Sequence, residues 1–386
     1  MSRRSLELLC ATTVVAAVLF FSPAIFRGAP QSKDGQQGEK GQQGQQGEKG
    51  MTGGYHLIRN ILLGGEGSWD YVTVDPEAKR IYAPRTEDIQ VVDENTGKII
   101  ADITGFKGLH GVAVAPEFNI GFVTGNDPDA AIYLLDLKAM KSTGKITLNG
   151  AKGSDSLMYD PFSKRAFINT AGSNNAQVVD AATGKLIGSV TLPGRPEAAV
   201  PDGKGSVFVN IVDKDQVAEY DALKLTVKNA WSSTPCVRGY GIAMDTTSRR
   251  LFIGCQPTAT SGVMVVMNAD NGKVIAAMPI GIGADGVGFD PGTGDIFCPS
   301  RDDGTGKSGA TYIFHEDSPD KYSKVAEVKT IYGARTVAVD PKTHHMFSIA
   351  TAENNPPANG PAPTADNPHP RLTPVPNTFS VVEIGK

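Results

Sequence analysis

What the sequence lacks narrows its chemistry first. Four cysteines are spread over 386 residues (Cys10, Cys236, Cys255 and Cys298), and none stands in a Cys-x-x-Cys or Cys-x-x-Cys-His pattern. The usual redox-dithiol, zinc-ribbon and covalent haem signatures are therefore missing, and no motif assigns a cofactor. Nothing resembles the carboxylate-rich loop of an EF-hand, which argues against a complete calcium cage of about six to eight oxygens. A basic excess is absent as well: residues 55–386 carry 31 basic and 37 acidic groups, a net −6, so nucleic acid is not an expected partner. Charge is missing altogether from Leu8 to Phe26, behind Arg3 and Arg4. Since only 20% of the chain is charged and 40% is hydrophobic, ample apolar material remains for a large core.

The uncharged run behind two arginines reads as an export signal over residues 1–30 and implies a periplasmic or cell-surface protein. Ser22, Pro23 and Ala24 form a small-residue cleavage pattern, yet the run is also long enough to span a bilayer, so removed leader and retained anchor both stay open. Residues 31–54 follow, with glycine at every third position from Gly35 to Gly53. That period is the one found in collagen, and a triple helix would make the protein trimeric. The triplets are few and contain no proline, so a solvated Gly/Gln-rich linker is the simpler reading.

From Trp69 onward one pattern returns seven times: a short apolar strand, an Asp-Pro-like turn, a second strand, a loop, a third strand ending near Asp, a Gly-Lys turn and a fourth strand. The anchors of the first turn are Asp75, Ala115, Asp160, Pro201, Asp245, Asp290 and Asp340, spaced by 40 to 50 residues. A period of that size with four strands per unit is the signature of propeller blades. Small and β-branched first strands such as YVTVD, GVAVA and TVAVD suit the crowded strand beside an axis. Turns such as DPEAKR and DPFSKR set proline in a type I turn behind an Asp that bonds the turn backbone. Gly97, Gly184 and Gly272 precede lysines where a hairpin needs positive φ.

The last unit stops at Lys386 after its third strand, whereas YHLIRNILL from Tyr55 to Leu63 is a spare strand ahead of the first unit. The two defects cancel if the N-terminal strand completes the last blade, which predicts an all-β, seven-bladed propeller of four-stranded blades over residues 55–386. The units resemble the YVTN repeat, and the body is similar to exported YncE-like propellers, most closely in PCVRGYGIAMDTTSRRLFIGC, GARTVAVDPKTH and the terminal NTFSVVEIGK. Ala115 and Pro201 depart from the Asp of that repeat, and the fourth unit lacks its Gly-Lys turn. Cys236 precedes the first strand of the fifth unit and Cys255 ends its second, so an antiparallel hairpin returns them to one end as a disulfide pair.

Each first strand starts, and each second strand ends, at the same face of such a disc. Five residues before the anchors lie Asp70, His110, Asp155, Pro196, Tyr240, Asp285 and Arg335, with Glu197 and Arg238 nearby, forming an expected ring around the channel mouth. Carboxylates, a histidine and arginines facing one cavity suit a hard cation, an anionic small molecule, or general acid and base roles. Water filling an ordinary propeller channel explains the same residue types. The loops at Asn174 and Asn175, Asp213 to Asp215, Arg301 to Asp303, and the Pro-rich residues 351–378 belong to that face. The last of these is not expected to form a regular strand and could be a lid, a partner contact or an inert excursion.

Without a catalytic signature, the expected function is a non-catalytic binding or scaffold module recognising a protein, a cell-envelope component or a small molecule through this mouth. The rival is an enzyme: the resemblance extends to propeller lactonases and related hydrolases with charged channel residues, and more distantly to quinone-cofactor dehydrogenases. Some YncE-like relatives imply DNA binding, which the charge of −6 opposes.

Overall fold

The computed structural model describes residues 54–355 and 373–386. The segment read as an export signal, nearly all of the glycine-triplet stretch and the centre of the Pro-rich insertion lie outside them. Within them, seven four-stranded antiparallel sheets form a ring, as the repeat predicts, with only two three-residue 3-10 turns. Inner strands touch in sequence from blade 1 round to blade 7, and that of blade 7, Ala338–Asp340, meets that of blade 1, Thr73–Asp75.

Blade 7 runs, from the axis outward, Ala338–Asp340, His345–Ala350, Ser380–Gly385 and the N-terminal His56–Leu62. Its register sets His56 opposite Gly385 and Leu62 opposite Ser380, so the first strand closes the ring from outside. Tyr55 packs edge-on against Phe297 of blade 6, with ring centroids 5.6 Å apart, and its hydroxyl donates to the buried Asp295. Lys386 Nζ reaches the same carboxylate at 3.1 Å, so one buried acid ties down both ends of the body.

The core lies between blades. Each second strand carries one fully buried ring at the same register: Tyr82, Phe122, Phe167, Phe208, Phe252, Phe297 and Phe347. Turn chemistry holds the opposite face. Asp75 Oδ1 accepts from the backbone N–H groups of Glu77 and Ala78, and Asp160 and Asp245 accept from the equivalent pairs in their blades with both carboxylate oxygens. In blade 4 the Pro201 anchor is displaced by one residue: Asp202 Oδ1 accepts from Lys204 N at 2.7 Å and Ser206 N at 2.9 Å. In place of the Gly-Lys turn that blade 4 lacks, Leu225 stands at φ +58°, and Met140 at φ +49° does the same in blade 2. The Pro-rich insertion does begin with strand, since Glu353–Asn355 pair with Thr373–Pro374. Proline is tolerated there because a two-stranded ladder is all edge, with no further partner needing its N–H.

Two local features carry predictions. Cys236 and Cys255 are disulfide-bonded with Cα atoms 5.3 Å apart, and Cys298 is buried and free. Closing a loop of this size stabilises the body by roughly 3 kcal/mol in the chain-entropy model. Thiol titration of the unfolded, unreduced body is expected to find Cys298 alone; two further reactive thiols would refute the bond.

At the joint between blades 7 and 1, the buried Glu94 and Asp340 face each other, with Lys79 Nζ 2.9 Å from Asp340 and 3.8 Å from Glu94. Burial, then the Asp340 hydrogen bond and charge, push the Glu94 carboxyl up to about 7 despite Lys79. A raised carboxyl stabilises the fold fully below its unfolded value near 4.5, and that contribution is lost as pH rises through about 7. Glu94→Gln is therefore expected to flatten the fall in melting temperature between about pH 5 and 8. Parallel melting curves for the two proteins across that range would contradict the assignment.

Candidate binding site at the channel mouth

The mouth is built where the chain enters each inner strand. Asp70, Asp285 and Arg335 sit in lead-ins to three-residue strands, whereas Asp155, Pro196 and Tyr240 lie at the start of longer ones, Ser154–Asp160, Pro196–Pro201 and Gly239–Asp245. His110 leads into Val112–Ala115, and its carbonyl accepts from Tyr71 N at 2.9 Å, tying blade 1 to blade 2.

Neighbouring blades pair their charges. His110 Nδ1 lies 2.9 Å from Asp70 Oδ2 and 3.5 Å from Asp155 Oδ1, and its Nε2 is 3.1 Å from Asn126 Nδ2. Arg335 forms an ion pair with Asp285, donates to the Trp69 carbonyl at 3.2 Å and stacks 5.6 Å above the Trp69 ring. Arg195 Nη2 lies 3.1 Å from Glu197 Oε1. Arg238 is exposed, held by Asp215 at its backbone N–H and by the Gln256 carbonyl at its guanidinium, and its charge acts on Tyr240.

The residue after each mouth position reveals a second layer. In five blades it is Gly111, Ser156, Gly241, Gly286 and Thr336, but in blades 1 and 4 it is Tyr71 and Glu197. Small residues are required where strands crowd: a Cβ on Gly241 would stand 2.5 Å from the Gly286 backbone. The two large side chains use the room left over, and Tyr71 OH points to Glu197 Oε2 at 3.5 Å across the channel. Below them is a cavity of about 160 Å³ lined by all seven blades, including Tyr71, Thr73, Ser156, Gly241, Asp285 and Val337.

Four carboxylates gathered at one poorly solvated mouth cannot all ionise freely. Burial and then Asp155 push Glu197 up to about 8, against the pull of Arg195. Burial likewise lifts Asp155 to about 6 although His110 opposes it, and raises Asp285 against Arg335. Burial lowers His110, but the Asp70 hydrogen bond and the Asp155 and Asp70 charges outweigh it and leave its pKa raised. Burial and the same ring of carboxylates hold the Tyr71 phenol well above its ordinary range. The mouth thus gathers carboxyls whose charged forms burial and mutual repulsion disfavour.

Tyr71, Asn126 and Arg195 were not singled out by the repeat alignment. Tyr71 carried a signal, a bulky residue where most units have glycine or a small hydroxyl residue. Arg195 stood next to Pro196 and was masked by it. Of the flanking loops, Asp213 and Asp215 are spent capping the backbone N–H groups of Arg195 and Arg238, and Asn175 bonds Thr170 and Gln177 within its own blade.

No known protein family and no curated protein matches the sequence. Solved structures do match. Hydrazine synthase from Kuenenia stuttgartiensis superposes with a TM-score of 0.62 at 16% identity, over 74% of this chain and 92% of that one. U3-55K gives 0.67 at 9% identity, over 84% and 98%. The WD40 repeats of RRP9 give 0.68 at 10% identity, over 85% and 98%. At such identities the likeness is one of fold, and it places this chain among seven-bladed β-propellers.

Proposed function

We propose that this protein is an exported, YVTN-type propeller acting as a non-catalytic binding module, and that its ligand is taken at the channel mouth. The carrying observation is the contrast between its two faces. On the opposite face, charges are accounted for by blade joints: Lys79 with Asp340, Lys164 with Glu117, Arg249 with Asp202 and His344 with Asp290. At the mouth, Asp70, His110, Asp155, Glu197, Asp285 and Arg335 gather in one cluster with three carboxyls held above their ordinary range, beside a cavity that Tyr71 and Asp285 help to line. The disulfide and the leader composition support an oxidising compartment outside the cytoplasm. Native mass spectrometry of protein recovered from its own cells is the test. A bound ligand lost on Asp285→Asn with Arg335→Gln is expected; a ligand retained by that variant contradicts the reading.

A further inference from the structure

We infer that Asp70, His110 and Asp155 form a site for one divalent first-row transition metal ion, Zn²⁺ above all. The inference deepens the reading of the mouth as a binding site and is tested apart from it. One imidazole nitrogen and two carboxylate oxygens, from three consecutive blades, lie within 4.8 Å of one another. Metal bonds of about 2.0–2.2 Å at tetrahedral angles set donor atoms about 3.3 Å apart. The separations from Nδ1, 2.9 Å to Asp70 and 3.5 Å to Asp155, straddle that value. A proton on Nδ1 serves Asp70 well but leaves Asp155 at the limit of a hydrogen bond, whereas an ion between the three serves all of them.

Comparison with the other described histidines sharpens the point. His315, His344 and His345 each turn Nδ1 to one carboxylate, at 2.9, 2.8 and 2.8 Å, which is an ordinary hydrogen-bonded pair. Among the described residues, only the His110 group brings three potential ligands together.

Asn126 supplies an independent observation. A histidine that binds metal through Nδ1 keeps its proton on Nε2 and needs an acceptor there. Asn126 Nδ2 stands 3.1 Å from Nε2, while its buried Oδ1 has no hydrogen-bond partner among the described residues. Turning the amide by 180° sets its oxygen against Nε2–H, the acceptor that an imidazole bound through Nδ1 needs. The donor set selects the ion: an imidazole with two carboxylates suits zinc-class metals, whereas calcium wants about six to eight oxygens. The side chains of His110, Asp70 and Asp155 keep 31, 20 and 17% exposure, so further coordination positions are open to water or a ligand at the mouth.

The full chain, stripped with chelator and dialysed, is titrated with ZnCl₂ by calorimetry and by thermal melting, with CaCl₂ and MgCl₂ as comparisons. One Zn²⁺ per chain is expected, with a rise of about 4 °C in melting temperature at roughly 100-fold excess over Kd. His110→Ala and Asp155→Asn are expected to abolish it, and Asn126→Leu to weaken it about 10- to 100-fold. His56→Ala, at an exposed histidine, should bind as the parent does. Should His110→Ala fail to fold, Asp155→Asn carries the test, since it preserves shape. Absence of zinc binding, or binding unchanged in both ligand variants, overturns the inference. If zinc fails while mouth-dependent ligand capture persists, this inference alone falls; if zinc binds but capture does not depend on the mouth, the binding-module reading alone falls.

Discussion

Deleting residues 55–63 is expected to leave a body that aggregates or melts at least about 10 °C lower. The deletion removes the outer strand of blade 7 and with it the buried side chains of Tyr55, Ile61 and Leu63. Burying such side chains contributes roughly 2–3 kcal/mol each, a total comparable with the net stability of many domains. It also strips the outward edge of Ser380–Gly385, whose Val381, Val382 and Ile384 are now fully buried, and an apolar open edge invites pairing between molecules. Asp295 would lose the Tyr55 hydroxyl. A circular rearrangement supplies the control. Because His56 pairs with Gly385, residues 55–63 can be attached behind Lys386 through a short turn, with Gly64 as the new start of the body. That version should recover the parent melting temperature, as measured by calorimetry. A deletion variant that melts with the parent would show that the ring does not depend on this closure.

Replacing Asp285 and Arg335 together, by Asn and Gln, is expected to remove ligand binding at little cost to folding. The pair must go together. Arg335 is 18% exposed and stacked on Trp69, and Asp285 is 28% exposed with a pKa already raised by burial, so either single change strands the partner in a poorly solvated place. Breaking one partner of such a pair costs about 3–5 kcal/mol, whereas removing both is often near neutral. Melting temperatures should therefore fall in both single variants and recover in the double one. Equal losses in all three would mean that the mouth charges are structural. These charges are half-buried and mutually constrained, unlike freely solvated groups in a water-filled channel.

How much of this was legible beforehand depended on whether a feature repeats. Strand order, the closing role of Tyr55 to Leu63 and the Cys236–Cys255 bond follow from a pattern seen seven times and from the way a hairpin returns to its origin. The register in blade 4 was hidden because Asp202 takes the turn one residue later than Pro201. At the mouth, alignment brings Asp70, His110 and Asp155 to equivalent positions, and neighbouring blades then set them side by side. Side-chain direction was not legible. Arg238, at φ +52°, turns to the Gln256 carbonyl, while Arg195 and Tyr71 reach Glu197 from positions that the repeat makes inconspicuous.

The central claim, that recognition belongs to the mouth and not to the turn face, is tested most directly by ligand occupancy in a matched pair of variants. One carries Asp285→Asn with Arg335→Gln. The other carries Glu77→Gln with Lys342→Gln, an exposed ion pair in the turns of the opposite face, 75% and 45% exposed. Both are recovered from the native cells and compared with the parent by native mass spectrometry. The mouth variant should lose its ligand by at least about 30-fold, as for removal of a partly desolvated charged contact worth 2–5 kcal/mol, and the turn-face variant should keep it. Loss in the turn-face variant with retention in the mouth variant would contradict the account.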